Sequence, residues 1–429
     1  KGYEALWLPG TDHAGIATQM IVENNLRSQG ISRQELGREE FVEQVWKHVK
    51  NTGSQIASQH KRLGISCDWS RERFTLDPSP SRAVATTFVN LYNKGLVYRG
   101  NRVINWCPRC STALSDLEVE YQQQDGHLYY IKYPIAGTSD VITVATTRPE
   151  TMLGDVAVAI HPTDTRYADL HGCSAILPIA ERNIPIITDT SIDPEFGTGA
   201  LKVTPAHDPV DFEIGLRHNL QSITTIDQNG NLSDDCFEFS GMERFLARDA
   251  IVQKLQELGL VSQIDDHQHA VGHCQRCKTV VEPLSSTQWF VKVGEHDDPN
   301  SIAGKAYRAV SDGDIRIIPE RFTRVYLNWL ENIRDWCVSR QLWWGHRIPV
   351  WYCAKCSREN VATTKPKVCA YCSNSDLIQD PDVLDTWFSS GLWPHSTLGW
   401  PEDSADFKYF YPTSVMATGY DILFFWVAR

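Results

Sequence analysis

The chain has 429 residues, 22% of them charged and 42% hydrophobic, and a formal net charge of −12. That length can bury a sizeable core in two or three domains. The negative balance excludes a generic polyanion binder, so nucleic-acid contact must come from local basic patches.

No apolar run has the length of a membrane-spanning helix, and no membrane partner is expected. Leu6-Trp7-Leu8 is a short buried-strand candidate. It leads into a glycine-lined turn, Pro9-Gly10-Thr11-Asp12-His13-Ala14-Gly15, with a helix to follow. In an open α/β sheet that succession is a usual ligand site, because glycine lets backbone approach closely. Ser32 and Glu35 have the spacing of a capping box and predict the start of a long helix. Phe41, Val42, Val45, Trp46 and Val49 give it one apolar face, and Gly64 is a plausible stop. A second helix is predicted from about Ser79-Pro80 to Gly95.

From about residue 122 to 271 the texture changes to short β-type runs: 141–144, 156–160, 184–187 and 201–203. One clear helix is predicted among them, around Asp249 to Leu258. The α/β texture then returns, with a helical stretch expected from Glu320 to Cys337. The expected organisation is therefore 1–121, first part of an α/β domain; 122–271, an inserted β-rich domain; and 272–429, the second part. The chain opens on Lys1-Gly2-Tyr3 and closes on an apolar stretch from Phe424 to Arg429, so an internal piece of a longer protein is expected.

Eight of the twelve cysteines form four CxxC pairs. Paired this way they read as metal ligands in a reducing compartment, and a cytoplasmic setting is expected. Cys353, Cys356, Cys369 and Cys372 are close-set and have the pattern of a structural zinc ribbon in the region 350–375. Cys107, Cys110, Cys274 and Cys277 stand where the α/β texture stops and resumes. One zinc shared across both pairs would clamp the neck of an inserted domain. Two uncoupled thiol pairs are the alternative. His267, His269 and His273 leave a mixed Cys/His site conceivable. Cys67, Cys173, Cys236 and Cys337 are expected to pack in cores.

Several stretches together resemble the class I aminoacyl-tRNA synthetases of the valine, isoleucine and leucine group. They are residues 8–19 from Leu8 to Gln19, Asn105-Trp106-Cys107-Pro108, Thr146 to Thr151, Lys202 to Asp208, Ser339 to His346 and Asp385 to Ser390. The isoleucine enzymes carry a tryptophan and a cysteine around Asp12, where this chain has Thr11 and His13, so the resemblance is closest to the valine branch. It implies a split Rossmann-like catalytic domain with an inserted β-rich editing domain and zinc-ribbon elements. It implies activation of L-valine by ATP, with Mg in the substrate complex, and transfer to tRNA(Val) by a monomer. It also implies hydrolysis of mischarged threonyl-tRNA. The family's two ATP signatures, His-x-Gly-His and Lys-Met-Ser-Lys-Ser, are absent, so this chain by itself is expected to fail in synthesis. A tRNA-editing deacylase and an isoleucine-type fragment are the alternatives within that family. A zinc-dependent nucleic-acid-binding module without chemistry is the third reading.

The resemblance also assigns residues. Asp12 would bind the valine ammonium, and Pro9, Trp344 and Trp387 would shape a tight apolar pocket. Whether Trp343 or Trp344 faces the ligand stays open. His13, Gly419 and Asp421 would meet ATP or the adenylate. An apolar pocket rejects threonine only weakly, because the two side chains are nearly isosteric, so a second hydrolytic site is expected. Lys202 and Thr204 alternate along a strand and share a face. Asp208 and Asp211 are three apart after a strand and could converge at a helix start. Asp211 would bind the substrate ammonium, while Lys202, Thr204 and Asp208 would contact the hydroxyl or orient a water. Thr147 and Arg148 would hold the tRNA end. The plainer alternative makes both aspartates helix-start residues and Lys202 a solvated surface charge. No nucleophile–base pair stands out, which favours direct attack by water.

Overall fold

The computed structural model describes residues 2–429, the Ser54 side chain excepted. The chain forms two compact units, Lys1–Arg99 with Gln288–Arg429, and Gly100–Thr287. The division falls inside two strands, Val97–Cys107 and Glu282–Val291. The sequence-derived boundaries at 121 and 271 thus lie within the second unit.

In the first unit, Leu6-Trp7-Leu8 forms no strand. Trp7 is 61% exposed, and two single bonds tie this backbone down, Asp68 N–H to the Trp7 carbonyl and Arg73 N–H to the Pro9 carbonyl. Ladder pairing begins at Gly10–Thr11, parallel to Arg73–Phe74. Ser32 and Glu35 make the reciprocal cap. It opens only a four-residue helix, Arg33–Leu36, because Gly37 turns the backbone at φ 76. The long helix Arg38–Arg62 starts beyond that glycine. Its Phe41 and Val45 pack with Val22, Leu26 and Trp344. The helix Pro78–Asn93 places two prolines in its first turn, where the missing N–H costs nothing. The predicted helix to Cys337 ends early, at Glu331. Trp336–Cys337 pairs instead with Phe290–Val291, so these side chains serve a sheet.

The second unit is built on two sheets. One has the order Ala200–Val203, Ala157–Ile160, Arg182–Thr188, Ser174–Leu177; the other has Val261–Cys274, Val119–Pro134, Val141–Thr146. Ala157–Ile160 is buried at all four positions, as its continuous apolar run requires. The main core gathers Ile131, Tyr133, Val144, Ile160 and Ile251, each completely buried. Burial of one such aliphatic side chain contributes roughly 1.5–3 kcal/mol. Val119–Pro134 and Val261–Cys274 form a long antiparallel ribbon, with Cys274 opposite Val119 and Val261 opposite Ile131. This ribbon joins the first cysteine cluster to the core.

Candidate functional site

The cysteines assemble into two four-sulfur clusters: Cys107, Cys110, Cys274 and Cys277, and Cys353, Cys356, Cys369 and Cys372. Within each, the ligand atoms lie within 4.8 Å of one another. Cys107 and Cys277 Sγ are 3.3 Å apart, Cys353 and Cys372 3.5 Å, and Cys356 and Cys369 3.7 Å. Those gaps are too long for S–S bonds of ~2.05 Å. They approach the ~3.8 Å edge of a tetrahedron with ~2.3 Å zinc–sulfur bonds.

The backbone explains the assembly. Each CxxC pair is followed by a left-handed residue: Ser111 at φ 51, Lys278 at φ 60, Ser357 at φ 56 and Ser373 at φ 58. Each of these donates its N–H to the carbonyl of the first cysteine in its pair, at 2.8–2.9 Å. All four pairs therefore close the same tight turn, which aims both sulfurs one way. The donor set fits zinc, and four thiolates leave no open position for a catalytic water. Among the described residues no histidine enters either cluster. His273 instead meets Gln124, and His267 stacks on His269.

In the first unit, the glycine-lined loop docks onto the Asp385–Ser390 motif. Thr386 Oγ1 accepts the Gly15 N–H at 3.0 Å. A Cβ on residue 15 would lie 2.9 Å from that oxygen, so the approach needs glycine. Asp12 accepts the Ala14 N–H at 2.7 Å and a hydrogen bond from the Ser390 hydroxyl. The crowded surroundings raise its carboxyl above the ordinary carboxylate range, against the pull of Ser390 and Ala14. An edge of Asp12 stays open, with the side chain 37% exposed.

His13 is buried, and burial lowers its pKa to about 4. Its ring meets His346 edge-on at 5.2 Å. Burial, with the neighbouring His13 second, lowers His346 to about 3, so both rings are neutral at pH 7. Trp344 is fully buried; its indole N–H donates to the His13 carbonyl at 2.7 Å. It packs edge-on against Trp46, centroids 4.9 Å apart. Trp343 is half-buried against Phe41. Gln19 Oε1 accepts the backbone N–H groups of Trp343 and Trp344, at 2.8 and 3.2 Å. Trp387 is half-buried and stacks on Phe425. Pro9 is half-buried beside Gly10. Gly419 and Asp421 are exposed, and among the described residues neither hydrogen-bonds the Asp12 group.

In the second unit, Lys202 and Thr204 do share a face, and both are buried. Lys202 is no solvated charge. Its ammonium lies 3.1 Å from Asp155, 2.9 Å from the Thr151 hydroxyl and 2.6 Å from that of Thr204. Asp211 sits in the first turn of Pro209–Arg217 and accepts the Thr204 N–H at 2.8 Å. Burial raises its carboxyl, to about 7, and repulsion from Asp208 adds to the rise. Asp208 is exposed and caps the same helix, accepting from Val210 and Asp211 N–H. The helix-start alternative thus describes Asp208 well; Asp211 is buried and points elsewhere.

Thr147 and Arg148 are half-buried. The Arg148 guanidinium reaches Glu150 at 3.1 Å and Glu282 at 2.5 Å. Burial opposes its charge, but these two carboxylates outweigh it and hold its pKa above the ordinary value. Glu282 also pairs with Arg244 at 2.6 Å, and Glu150 with Arg248 at 2.8 Å. His207 Nε2 accepts the Thr225 N–H at 2.9 Å, which places the ring proton on Nδ1, facing the Pro283 carbonyl at 3.2 Å. Asp155, Thr151, Glu150, Glu282 and Ser390 carry these groups and were not singled out from sequence. Glu150, Thr151 and Ser390 lie inside the motif stretches named above without having been given a role, while Asp155 and Glu282 lie outside them.

The chain matches the family described as tRNA synthetases class I (I, L, M and V) over residues 1–429. Valine–tRNA ligase of Geobacter sulfurreducens is 57% identical over 430 residues, covering 100% of this chain and 48% of that protein. Valine–tRNA ligase of Dehalococcoides mccartyi strain 195 is 58% identical, with the same coverage. That of Thermotoga maritima is 54% identical, covering 100% of this chain and 49% of that protein. The chain spans about half the length of these curated relatives. It belongs to the class I tRNA synthetases of the isoleucine, leucine, methionine and valine group.

Proposed function

We propose that this chain carries the amino-acid site and the editing site of a valine–tRNA ligase. The observation that carries this reading is identity of 53–58% to valine–tRNA ligases along the whole chain. In the first unit, the partly open Asp12 carboxylate binds the ammonium of L-valine, with Pro9, Trp344 and Trp387 shaping its apolar surroundings. His13, Gly419 and Asp421 face ATP–Mg or the adenylate. Neutral His13 and His346 add no positive charge that would compete with that ammonium for Asp12.

The second unit is the inserted editing domain. Asp211 binds the ammonium of a misplaced threonine, and Thr147 and Arg148 hold the end of tRNA(Val). Asp208, Lys202 and Thr204 complete the site. Water attacks the ester directly, without a covalent intermediate. Both cysteine clusters hold structural zinc, Cys353 to Cys372 as a ribbon and Cys107 to Cys277 as a clamp at the base of the Val119–Pro134 ribbon. Among the described residues no helix is long and apolar enough to cross a membrane. A cytoplasmic monomer suits the reading.

Two assays on the protein in its full natural length test it. Valine-dependent pyrophosphate exchange with ATP reports the first site, and deacylation of threonyl-tRNA reports the second. Both activities are expected. Exchange driven by isoleucine but not valine would overturn the valine assignment, and deacylation without exchange would make the protein a free-standing hydrolase.

A further inference from the structure

Thr75 lies in none of the motifs above, yet all its polar groups bond to two of them. It follows the strand Arg73–Phe74, which pairs with Gly10–Thr11, and it is buried. Its N–H donates to the Thr11 carbonyl at 3.1 Å. Its carbonyl faces His346 Nε2 at 2.9 Å, so that nitrogen carries the ring proton and donates it. Its hydroxyl oxygen accepts the His13 backbone N–H at 2.9 Å and lies 2.8 Å from His13 Nδ1. Two proton arrangements fit the last contact. If the hydroxyl donates to Nδ1, the His13 ring proton sits on Nε2, and that one N–H is left without a partner. If Nδ1 donates instead, the hydroxyl proton and Nε2 are both stranded. Stranding a buried polar group is costly, so the first arrangement is favoured. Thr75 then both accepts from His13 and donates to it.

We propose that Thr75 is a positioning residue of the amino-acid site: through its hydroxyl and carbonyl it pins the His13 and His346 loops to each other and so fixes the direction of the Asp12 carboxylate. This rests on reading the first unit as the valine site. Asp12 directly precedes His13, and His13 has little freedom left. Its N–H and ring are held by Thr75, and its carbonyl accepts the Trp344 indole N–H at 2.7 Å and the Thr18 hydroxyl at 3.0 Å. Phe74 lies against Trp344, ring centroids 6.4 Å apart, so the same short segment backs one wall of the proposed pocket. A side chain of the same volume without the hydroxyl would fill the space but strand the His13 N–H and Nδ1 together.

The test compares Thr75→Val and Thr75→Ser in the full-length protein by valine-dependent pyrophosphate exchange. The first variant keeps the volume and loses the hydroxyl; the second keeps the hydroxyl and loses the methyl. Thr75→Val should raise KM for L-valine about tenfold, as for a lost buried hydrogen bond. Its kcat should change much less, because Asp12 holds the ammonium in ground and transition states alike. Thr75→Ser should stay within about threefold of the parent KM. The reverse order, with Thr75→Ser impaired and Thr75→Val near the parent, would show a packing role and overturn the proposal. In an Asp12→Asn background Thr75→Val should add little, since its action passes through Asp12; multiplied losses there would also overturn it. Should Thr75→Val not fold, Thr75→Ala against Thr75→Ser repeats the comparison with no methyl branch in either, and equal KM values in that pair would overturn the proposal. A parent protein that exchanges no valine sinks the amino-acid-site reading itself. A parent-like KM in Thr75→Val, beside a parent that does exchange, sinks only the role of Thr75.

Discussion

Asp211 Oδ2 accepts the backbone N–H of Thr204 at 2.8 Å. The bond joins the first turn of a helix to the end of the strand Ala200–Val203, and it holds a carboxylate where little water reaches. The consequence is a titration. Asp211 rises from 3.8 to about 7, mainly by burial, with Asp208 next. If the ionised form binds the substrate ammonium, kcat/KM for deacylation should climb through pH 7 and then level off. A flat profile between pH 6 and 8 would remove Asp211 from that role.

The same shift has a stability consequence of definite sign. Between the unfolded value of 3.8 and the folded value of about 7, the folded state holds the extra proton. Stability from this group is therefore greatest at low pH and falls as pH rises through that window. Asp211→Asn should stabilise the protein at pH 8 relative to pH 5, compared with the parent. Thermal unfolding at the two pH values measures it.

Glu282 behaves oppositely. Burial alone would raise its carboxyl, but Arg148, His207 and Arg244 outweigh that and hold it at about 2, below its ordinary 4.5. Its contribution is present above pH 4.5 and lost as pH falls toward 2. Glu282→Leu would take the carboxylate from the buried Arg244 guanidinium and leave Arg148 with Glu150 alone, and breaking such a buried pair costs about 3–5 kcal/mol. A large fall in unfolding midpoint at pH 7, shrinking at acid pH, is expected.

The metal reading predicts two zinc ions per chain by elemental analysis. Cys277→Ser and Cys372→Ser should each lose one zinc, and the losses should add. Chelation should lower the unfolding temperature, because metal held only by the folded state contributes its binding energy to folding. One zinc in the parent protein would contradict the pairing of one cluster.

Much of this was legible in the sequence. The four CxxC pairs announced both clusters, and even the 163-residue separation between Cys110 and Cys274 (273 − 111 + 1) proved compatible with one site. The capping box was correct at Ser32 and Glu35, but helix length was misjudged because Gly37 interrupts an otherwise continuous pattern. The ribbon Val119–Pro134 with Val261–Cys274 went unread. Its outer part is solvated on both faces, so Gln122-Gln123-Gln124-Asp125 shows no alternation. The burial of the acids Asp155, Glu150 and Glu282 was not legible, for a different reason. A carboxylate's burial is set by partners far along the chain, here Lys202, Arg248 and Arg244, and no local spacing announces it. The alternative that made Lys202 a surface charge fails for the same reason, since its buried partner Asp155 lies 47 residues away.

In the first unit, Asp12→Asn should weaken valine-dependent pyrophosphate exchange about a hundredfold, on the scale of a lost charge-assisted contact. Ser390→Ala should have a smaller effect, felt mainly in KM for valine, since Ser390 orients the Asp12 carboxylate. Equal losses from the two variants would argue that Ser390 itself meets the ligand.

The most direct measurement charges tRNA(Val) with threonine, comparing the full-length parent with its Asp211→Ala variant. The parent should accumulate almost no threonyl-tRNA. The variant should accumulate it steadily while valine charging stays unchanged, if the two activities reside in different units of the chain as proposed. Failure of the variant to accumulate threonyl-tRNA, with valine charging intact, would contradict the placement of editing in the unit Gly100–Thr287.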